Sequence, residues 1–283
     1  MHALIESLLA HGPGITDGAW GTQLQARGLP VGACPDEWNL TQPARVEEVA
    51  AAYVAAGSRI ILTNTFGANR IRLAEFGLVD QTGEINRRGA AISKRAAGKT
   101  ASVFASVGPT GKMLVSGDVT ADEVLAAFTE QAAALKAGGA DALVIETMAE
   151  LEEATLAITA ARTTGLPVVA CMTFDTGGCT MMGVTPVQAA AELTAAGADV
   201  IGSNCGNGIA AFVPICQQLR AASPLPIWVK ANAGQPEYVD GRITYRITPE
   251  EFAAHAPALL KAGASFIGGC CGTTPDHIRV LAQ

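Results

Sequence analysis

Two adjacent cysteines in Gly268-Gly269-Cys270-Cys271-Gly272-Thr273-Thr274, and a third in Gly202-Ser203-Asn204-Cys205-Gly206, are the residues whose type and setting most favour chemistry. Three thiolates converging on one point form a soft-metal site, and three protein ligands rather than four leave a position open for a substrate. A lone cysteine is more often a small buried hydrophobe. Cys171, inside an apolar run, and Cys216, in a helical stretch, read that way, while Cys34 and Cys179 fall in loops and read as incidental. Cys205, Cys270 and Cys271 differ in lying among glycines at the ends of apolar runs. A second reading of the adjacent pair is a strained vicinal disulfide in a redox protein.

These residues need elements that bring them together. Eight apolar runs read as buried strands: Gly14–Ala19, Arg59–Thr65, Ser102–Gly108, Ala142–Met148, Val168–Phe174, Val200–Gly206, Pro226–Gly234 and Phe266–Gly272. Helical stretches over Glu47–Ala56, Glu84–Ala97, Ala121–Ala137, Glu150–Thr164, Pro186–Ala196 and Pro249–Ala262 alternate with them, several opened by Thr, Asp or Pro. Ala56-Gly57-Ser58, Gly138-Gly139-Ala140, Ala196-Gly197-Ala198 and Ala262-Gly263-Ala264 mark the joints, each a glycine cap between a helix and the next strand. Eight such units in 283 residues predict an α/β fold, a (β/α)8 barrel in a single domain over residues 1–283. An open doubly wound sheet would call for a G-x-G-x-x-G turn after the first strand, which Asp17-Gly18-Ala19-Trp20-Gly21-Thr22 does not supply.

In a barrel the chemistry sits where strands end. Asp17, Asn64-Thr65, Glu146-Thr147, Thr173, Asn204-Cys205, Lys230 with Asn232, and Cys270-Cys271 hold those positions. The sixth and eighth strands flank the seventh, so Cys205 can meet the pair across the rim. Strand alternation would point Cys270 and Cys271 to opposite faces, so the backbone must leave strand geometry there, as Gly268, Gly269 and Gly272 permit. Lys230 would suit a Schiff base, but no other feature points to an aldolase.

Composition narrows the partners. A net charge of −7 and 16% charged residues describe an acidic chain without the basic stripe that nucleic acid or an anionic membrane demands. No apolar stretch approaches the ~20 residues of a membrane span, and Met1-His2-Ala3-Leu4-Ile5-Glu6 lacks the order of a signal peptide. The expected location is cytoplasmic, where an odd count of seven cysteines reads as metal-binding or catalytic rather than paired.

The Cys205 segment and the run Gly268–Ile278 resemble the zinc signatures of the homocysteine S-methyltransferase family. Asp17–Thr22, Thr63–Arg70, Gly108-Pro109-Thr110-Gly111 and Glu146-Thr147 resemble its other blocks in the same order. Asp36-Glu37-Trp38-Asn39-Leu40, Asn64–Arg70 and Lys230-Ala231-Asn232-Ala233-Gly234 are most similar to the branch holding the homocysteine-binding module of cobalamin-dependent methionine synthase.

The resemblance implies a Zn2+ ion on Cys205, Cys270 and Cys271, homocysteine as acceptor and methionine as product. Methyl transfer to sulfur needs a thiolate, whereas an alkyl thiol of pKa about 8.5 is mostly protonated at neutral pH, and zinc coordination removes that proton. For the amino-acid end of the substrate, Glu146 and Asp17 are the candidates to bind the ammonium. The backbone N–H groups of Ala19, Trp20 and Gly21 would take the carboxylate, and Asn204 and Asn232 would orient either group or the ligands. His277 reads as a supporting residue, not a fourth ligand. A chain ending at Gln283 leaves no room for folate, cobalamin or reactivation modules, so the donor is expected from outside: a methyl-corrinoid protein, a methylfolate or a betaine-like small molecule. One variant is a subunit that accepts methyl only from a partner corrinoid protein. The donor pocket is expected on Arg27–Trp38 and Thr176–Thr185, with Met181, Met182, Trp20 and Trp38 reading as core packing.

Overall fold

The computed structural model describes residues 2–175, 177–239 and 242–283. Its framework is built from eight parallel strands: β1 Gly14–Ile15, β2 Ile60–Ile61, β3 Ser102–Val107, β4 Ala142–Met148, β5 Val168–Met172, β6 Val200–Cys205, β7 Ile227–Ala231 and β8 Ala264–Gly269. They run in the order β1-β8-β7-β6-β5-β4-β3-β2, each parallel to its neighbour.

The two ends of that order meet. The Arg59 N–H donates to the Ile15 carbonyl at 2.9 Å, and the Leu62 N–H donates at 2.7 Å to the carboxylate of Asp17, which stands where a strand carbonyl would. The sheet is a nearly closed (β/α)8 barrel, as the alternating pattern predicts. Helix starts follow local chemistry: Thr120, Thr185 and Thr248 each form a capping box with Glu123, Gln188 and Glu251.

Several boundaries differ from the sequence reading. β1 and β2 stop at Ile15 and Ile61; beyond them the Thr16 N–H and the Asp17 carbonyl still bond Ile267 and Gly269 of β8, whereas the Leu62 N–H turns to the Asp17 carboxylate and the Ser106 N–H to the Thr63 hydroxyl, so side chains replace backbone partners there. The helix expected over Pro249–Ala262 is two, Pro249–Ala253 and Ala256–Lys261. Pro257 has no N–H to give the carbonyl four residues back, so one continuous helix is broken there. A hairpin of Glu237–Val239 and Arg242–Thr244, placed between β7 and these helices, has no counterpart in the strand pattern.

The barrel interior is graded along its axis. One end is apolar: Phe104 and Trp228 stack at 5.9 Å between centroids, Phe266 tilts against Trp228 at 5.3 Å, and Ile5 of the N-terminal helix Ala3–Leu9 packs in the same cluster. Polar and ionisable groups are gathered at the strand C-terminal ends.

Candidate active site

The three cysteines of the sequence motif meet. The sulfurs of Cys205, Cys270 and Cys271 all lie within 4.8 Å of one another, each half-buried. Local backbone explains how. β8 ends at Gly269, and Cys270–Thr273 form a turn in which the Thr273 N–H and hydroxyl both donate to the Cys270 carbonyl, at 3.1 and 2.7 Å. Gly272 has φ +81°, and a Cβ there would overlap the Tyr245 ring. Cys205 contributes its own distortion, with φ +65° at a non-glycine residue, a conformation that costs of order 1 kcal/mol and persists only where surroundings enforce it.

All seven cysteines are free. Hydrogen bonds from Cys270 and then Cys271 pull the Cys205 thiol far below its ordinary range, and their bonds to Cys205 are the first cause pushing the Cys270 and Cys271 thiols up. The trio therefore carries one negative charge readily, while ionising all three sulfurs at this spacing requires a cation among them. Sulfurs about 2.3 Å from a tetrahedral metal stand about 3.8 Å apart, a spacing compatible with sulfurs that all lie within 4.8 Å of one another, so this donor set fits a soft divalent ion. Asn232 donates its amide to the Cys205 sulfur at 3.6 Å and to the Gly206 carbonyl at 2.8 Å.

Beside the thiols stands a brace built on Asn204. Its Oδ1 accepts from the Thr147 N–H at 2.7 Å, and its Nδ2 donates to the Thr147 hydroxyl at 2.7 Å and to Glu146 at 3.3 Å. Thr147 has φ +62° and, with Cys205, is the other non-glycine residue of positive φ among the described residues. One buried side chain thus holds both strained positions, one by its amide and one by adjacency. Glu146 is buried, accepts from the Ser106 hydroxyl as well as Asn204, and has its carboxyl pushed up by burial, opposed chiefly by the charge of Lys230.

Asp17 is fully buried and committed to the protein. One oxygen pairs with the Lys230 ammonium; the other accepts from Trp20 Nε1 and the Leu62 N–H, both at 2.7 Å. Of the turn that follows, the Ala19 N–H donates to the Thr273 hydroxyl at 3.1 Å, and the Ala19 carbonyl accepts from Tyr53 at 2.7 Å. Trp20 and Gly21 open the helix Gly21–Ala26, and their N–H groups have no protein partner among the described residues.

Some features were not read from the sequence. The Tyr245 hydroxyl bonds Cys271, and its own pKa is raised, first by burial. Tyr245 follows the unforeseen hairpin, so no strand-end pattern could flag it. His277 is buried and fully engaged, with Nδ1 on Thr274 and Nε2 2.9 Å from the Ile247 carbonyl, tying the Tyr245 segment to the helix after the cysteines. Met181 and Met182, expected in the core, instead line a cavity of about 330 Å³ that also touches Thr147, Pro109 and Met113. Met181 is 70% exposed; Thr176, in the same expected donor loop, lies outside the described residues. Trp38 is core, with the Arg45 guanidinium 5.4 Å from its ring centroid. Cys34, read as incidental, is buried and donates to Asp36 at 3.8 Å. Among the described residues no helix is long and apolar enough to cross a membrane.

Known proteins share this fold. The metallated form of the homocysteine methyltransferase MmuM from Escherichia coli superposes with a TM-score of 0.84 over 98% of both chains at 24% identity, and its oxidized form with 0.81. The carboxyl transferase domain of Rhizobium etli pyruvate carboxylase shares the barrel more distantly, at a TM-score of 0.55 and 16% identity over 98% of this chain and 47% of that one. Methionine synthases of Mycobacterium leprae and Mycobacterium tuberculosis are 34% and 33% identical over 95% of this chain, which spans 24% of the length of each. The homocysteine S-methyltransferase family model matches residues 14–283, a stretch that holds Asp17, Glu146, Asn204 and all three converging cysteines, and the chain belongs to that family.

Proposed function

We infer that this chain is a zinc-dependent homocysteine S-methyltransferase, one barrel domain over residues 1–283 in which homocysteine thiolate displaces the leaving group of a methyl donor to give methionine. The observation that carries the reading is the convergence of the Cys205, Cys270 and Cys271 sulfurs beside a buried carboxylate, Glu146, through the shared brace Asn204. When bound, zinc would supply the Lewis acidity that keeps a substrate thiol deprotonated at neutral pH.

The protein's own groups do the rest. Cys205, Cys270 and Cys271 would hold the ion, while the Asn232 amide and the Tyr245 hydroxyl donate to the Cys205 and Cys271 sulfurs and spread their negative charge. Glu146 receives the substrate ammonium, since only neutral donors, Ser106 and Asn204, hydrogen-bond it. The Trp20 and Gly21 N–H groups receive the substrate carboxylate; Ala19 supports them through Thr273 and Tyr53. Gripping both ends of the amino acid fixes the direction of the sulfur and removes orientational freedom from the displacement.

The cavity beside Thr147 gives the donor a place next to the acceptor. Identity to methionine synthases favours a variant in which a methyl-corrinoid protein delivers the methyl group. Methylfolate and betaine-like molecules are the other donors to try. A reducing, cytoplasmic setting would keep the thiols free. Incubating the zinc-loaded protein with homocysteine and each donor, and reading methionine by mass, tests the function. Methionine should form with one donor class and cease on metal removal; unchanged turnover after metal removal defeats the reading.

A further inference from the structure

Homocysteine bound beside Cys205, Cys270 and Cys271 adds its own sulfur to a place where the protein already has three. A thiolate that holds a metal keeps a lone pair, and that lone pair can attack an alkylating carbon as the substrate's does. Methylation of a ligand would turn it from a thiolate into a thioether, which is neutral and a far weaker partner for zinc. Turnover therefore requires the protein's sulfurs to be poorer nucleophiles than the substrate's.

The three are sheltered in different ways. Cys270 holds the innermost sulfur. Asn232 covers Cys205 with its amide at 3.6 Å, and the Gly206 carbonyl fixes that amide at 2.8 Å. Cys271 is covered by Tyr245, whose hydroxyl bonds the sulfur and whose ring lies against Gly272, where a Cβ would stand. Tyr245 is anchored close by. The Ile247 N–H donates to the Ala233 carbonyl at 3.2 Å, the Ile247 carbonyl lies 2.9 Å from His277 Nε2, and the Ala233 N–H donates to the Cys271 carbonyl at 2.9 Å. Ring and sulfur thus hang from one hydrogen-bonded frame. A phenol, with an ordinary pKa of about 10, keeps its proton at neutral pH, so toward a thiolate it acts as a donor and draws density from the lone pair that would attack.

We propose that Tyr245 is a specificity-determining residue of the methyl transfer: its hydroxyl, bonded to Cys271, keeps that ligand sulfur from competing with the substrate sulfur for the methyl group. This rests on the methyltransferase reading above. Tyr245 acts through Cys271 and touches neither substrate nor donor. In the side reaction it suppresses, the Cys271 sulfur forms a bond to the methyl carbon, the bond from that carbon to the leaving group breaks, and the leaving group departs with the electron pair.

Tyr245→Phe keeps the ring on Gly272 and removes the hydroxyl; Tyr245→Leu serves in its place if the phenylalanine form does not retain zinc. The zinc-loaded wild type and variant are treated with iodomethane. Peptide mass spectrometry reads the methyl groups gained at each cysteine, and a chelating dye reads the zinc released. The variant should be methylated at Cys271 at least about tenfold faster than wild type, the scale for residues that support metal ligands, with Cys205 unchanged and zinc released in step. During turnover the variant should lose activity progressively while wild type runs linearly; a merely structural role would be felt from the first turnover. Equal methylation of Cys271 in the two forms overturns the proposal. So does an equal acceleration at Cys205, which would mean that the trio as a whole has loosened. A wild type that forms no methionine with any donor, while the two forms still differ at Cys271, overturns the functional reading and supports the shielding of Cys271.

Discussion

Two trios of side chains occupy the strand ends, and they are incomplete in opposite ways. Cys205, Cys270 and Cys271 are soft, half-open to solvent and crowded with potential negative charge; Asp17, Lys230 and Glu146 are hard, buried and short of one positive charge. Each leaves a single place unfilled. Homocysteine carries the matching pair of groups, a sulfur for the first and an ammonium for the second. Asn204 links the trios, because its side chain holds Glu146 and Thr147 while its backbone leads into Cys205.

The largest effect should come from breaking the thiol trio. Cys205→Ser, Cys270→Ser or Cys271→Ser should each reduce bound zinc well below one per chain and lower the rate by at least about a thousandfold, ~4 kcal/mol of barrier. Elemental analysis beside methionine formation checks both. Since the apolar end of the barrel does not depend on these residues, the thermal transition should remain cooperative; a serine variant that keeps full zinc and full rate would remove the trio from the mechanism.

Breaking the charged trio should separate binding from chemistry. Glu146→Gln keeps both oxygen and nitrogen within reach of Ser106 and Asn204 but loses the charge. It should raise KM for homocysteine about a hundredfold while zinc content stays at one per chain and kcat falls by less than about threefold. A parallel fall in kcat with unchanged KM would show that Glu146 serves the transition state instead.

The link itself is the third target. Asn204→Ala removes three hydrogen bonds, two of them to the strained Thr147, and should lower kcat/KM roughly tenfold to a hundredfold, the range for residues that orient ligands. Stability should fall by about 1–3 kcal/mol, because the Thr147 N–H and the Glu146 carboxylate lose buried partners. Steady-state kinetics and denaturant unfolding measured on the same preparation decide whether the two losses travel together. A stability loss with unchanged kinetics would reduce Asn204 to a fold residue.

Sequence patterning gave access to the two trios unequally. The thiol trio was legible because glycines around Cys205 and Cys270-Cys271 mark strand ends, and strand order brings the sixth and eighth strands to either side of the seventh. The charged trio was not: Asp17 and Glu146 could be placed at strand ends, yet nothing in the spacing of residues 17 and 230 shows that an ion pair spans the barrel there. The barrel seam escaped for the same reason, since a side-chain carboxylate standing in for a strand carbonyl leaves no periodic trace. Tyr245 escaped because its position depends on a hairpin whose short strands carry no alternation long enough to read. The motifs Asp36–Leu40 and Asn64–Arg70 were noticed as similar to a family. Their physical sense emerges only in three dimensions: Asn39 donates to the Asn64 and Ile85 carbonyls at 2.7 and 3.1 Å and accepts from Asn64, so each motif holds the other.

Asp36 offers the mildest and sharpest contrast with Asp17. Both acids are buried, but Asp17 is ion-paired with Lys230, whereas Asp36 accepts from the Gly67 N–H at 3.1 Å and the Cys34 thiol and feels the charge of Arg72 only as a smaller influence, so burial pushes its pKa up to about 6. An acid whose folded pKa lies above the unfolded value of about 3.9 holds its proton more tightly when folded, so the native state is favoured at low pH and loses that advantage as pH rises from about 4 to about 6. Above pH 6 the penalty is nearly complete, with an upper limit of about 3 kcal/mol. Asp36→Asn keeps an oxygen for the Gly67 N–H and escapes the penalty. It should therefore be more stable than wild type by about 1–2 kcal/mol at pH 8, with the difference shrinking toward zero at pH 4. Guanidinium unfolding at the two pH values measures this directly. A gain that does not change with pH would mean that the carboxylate is not what burial destabilises, and that a buried acid in this barrel needs no Lys230 to be tolerated.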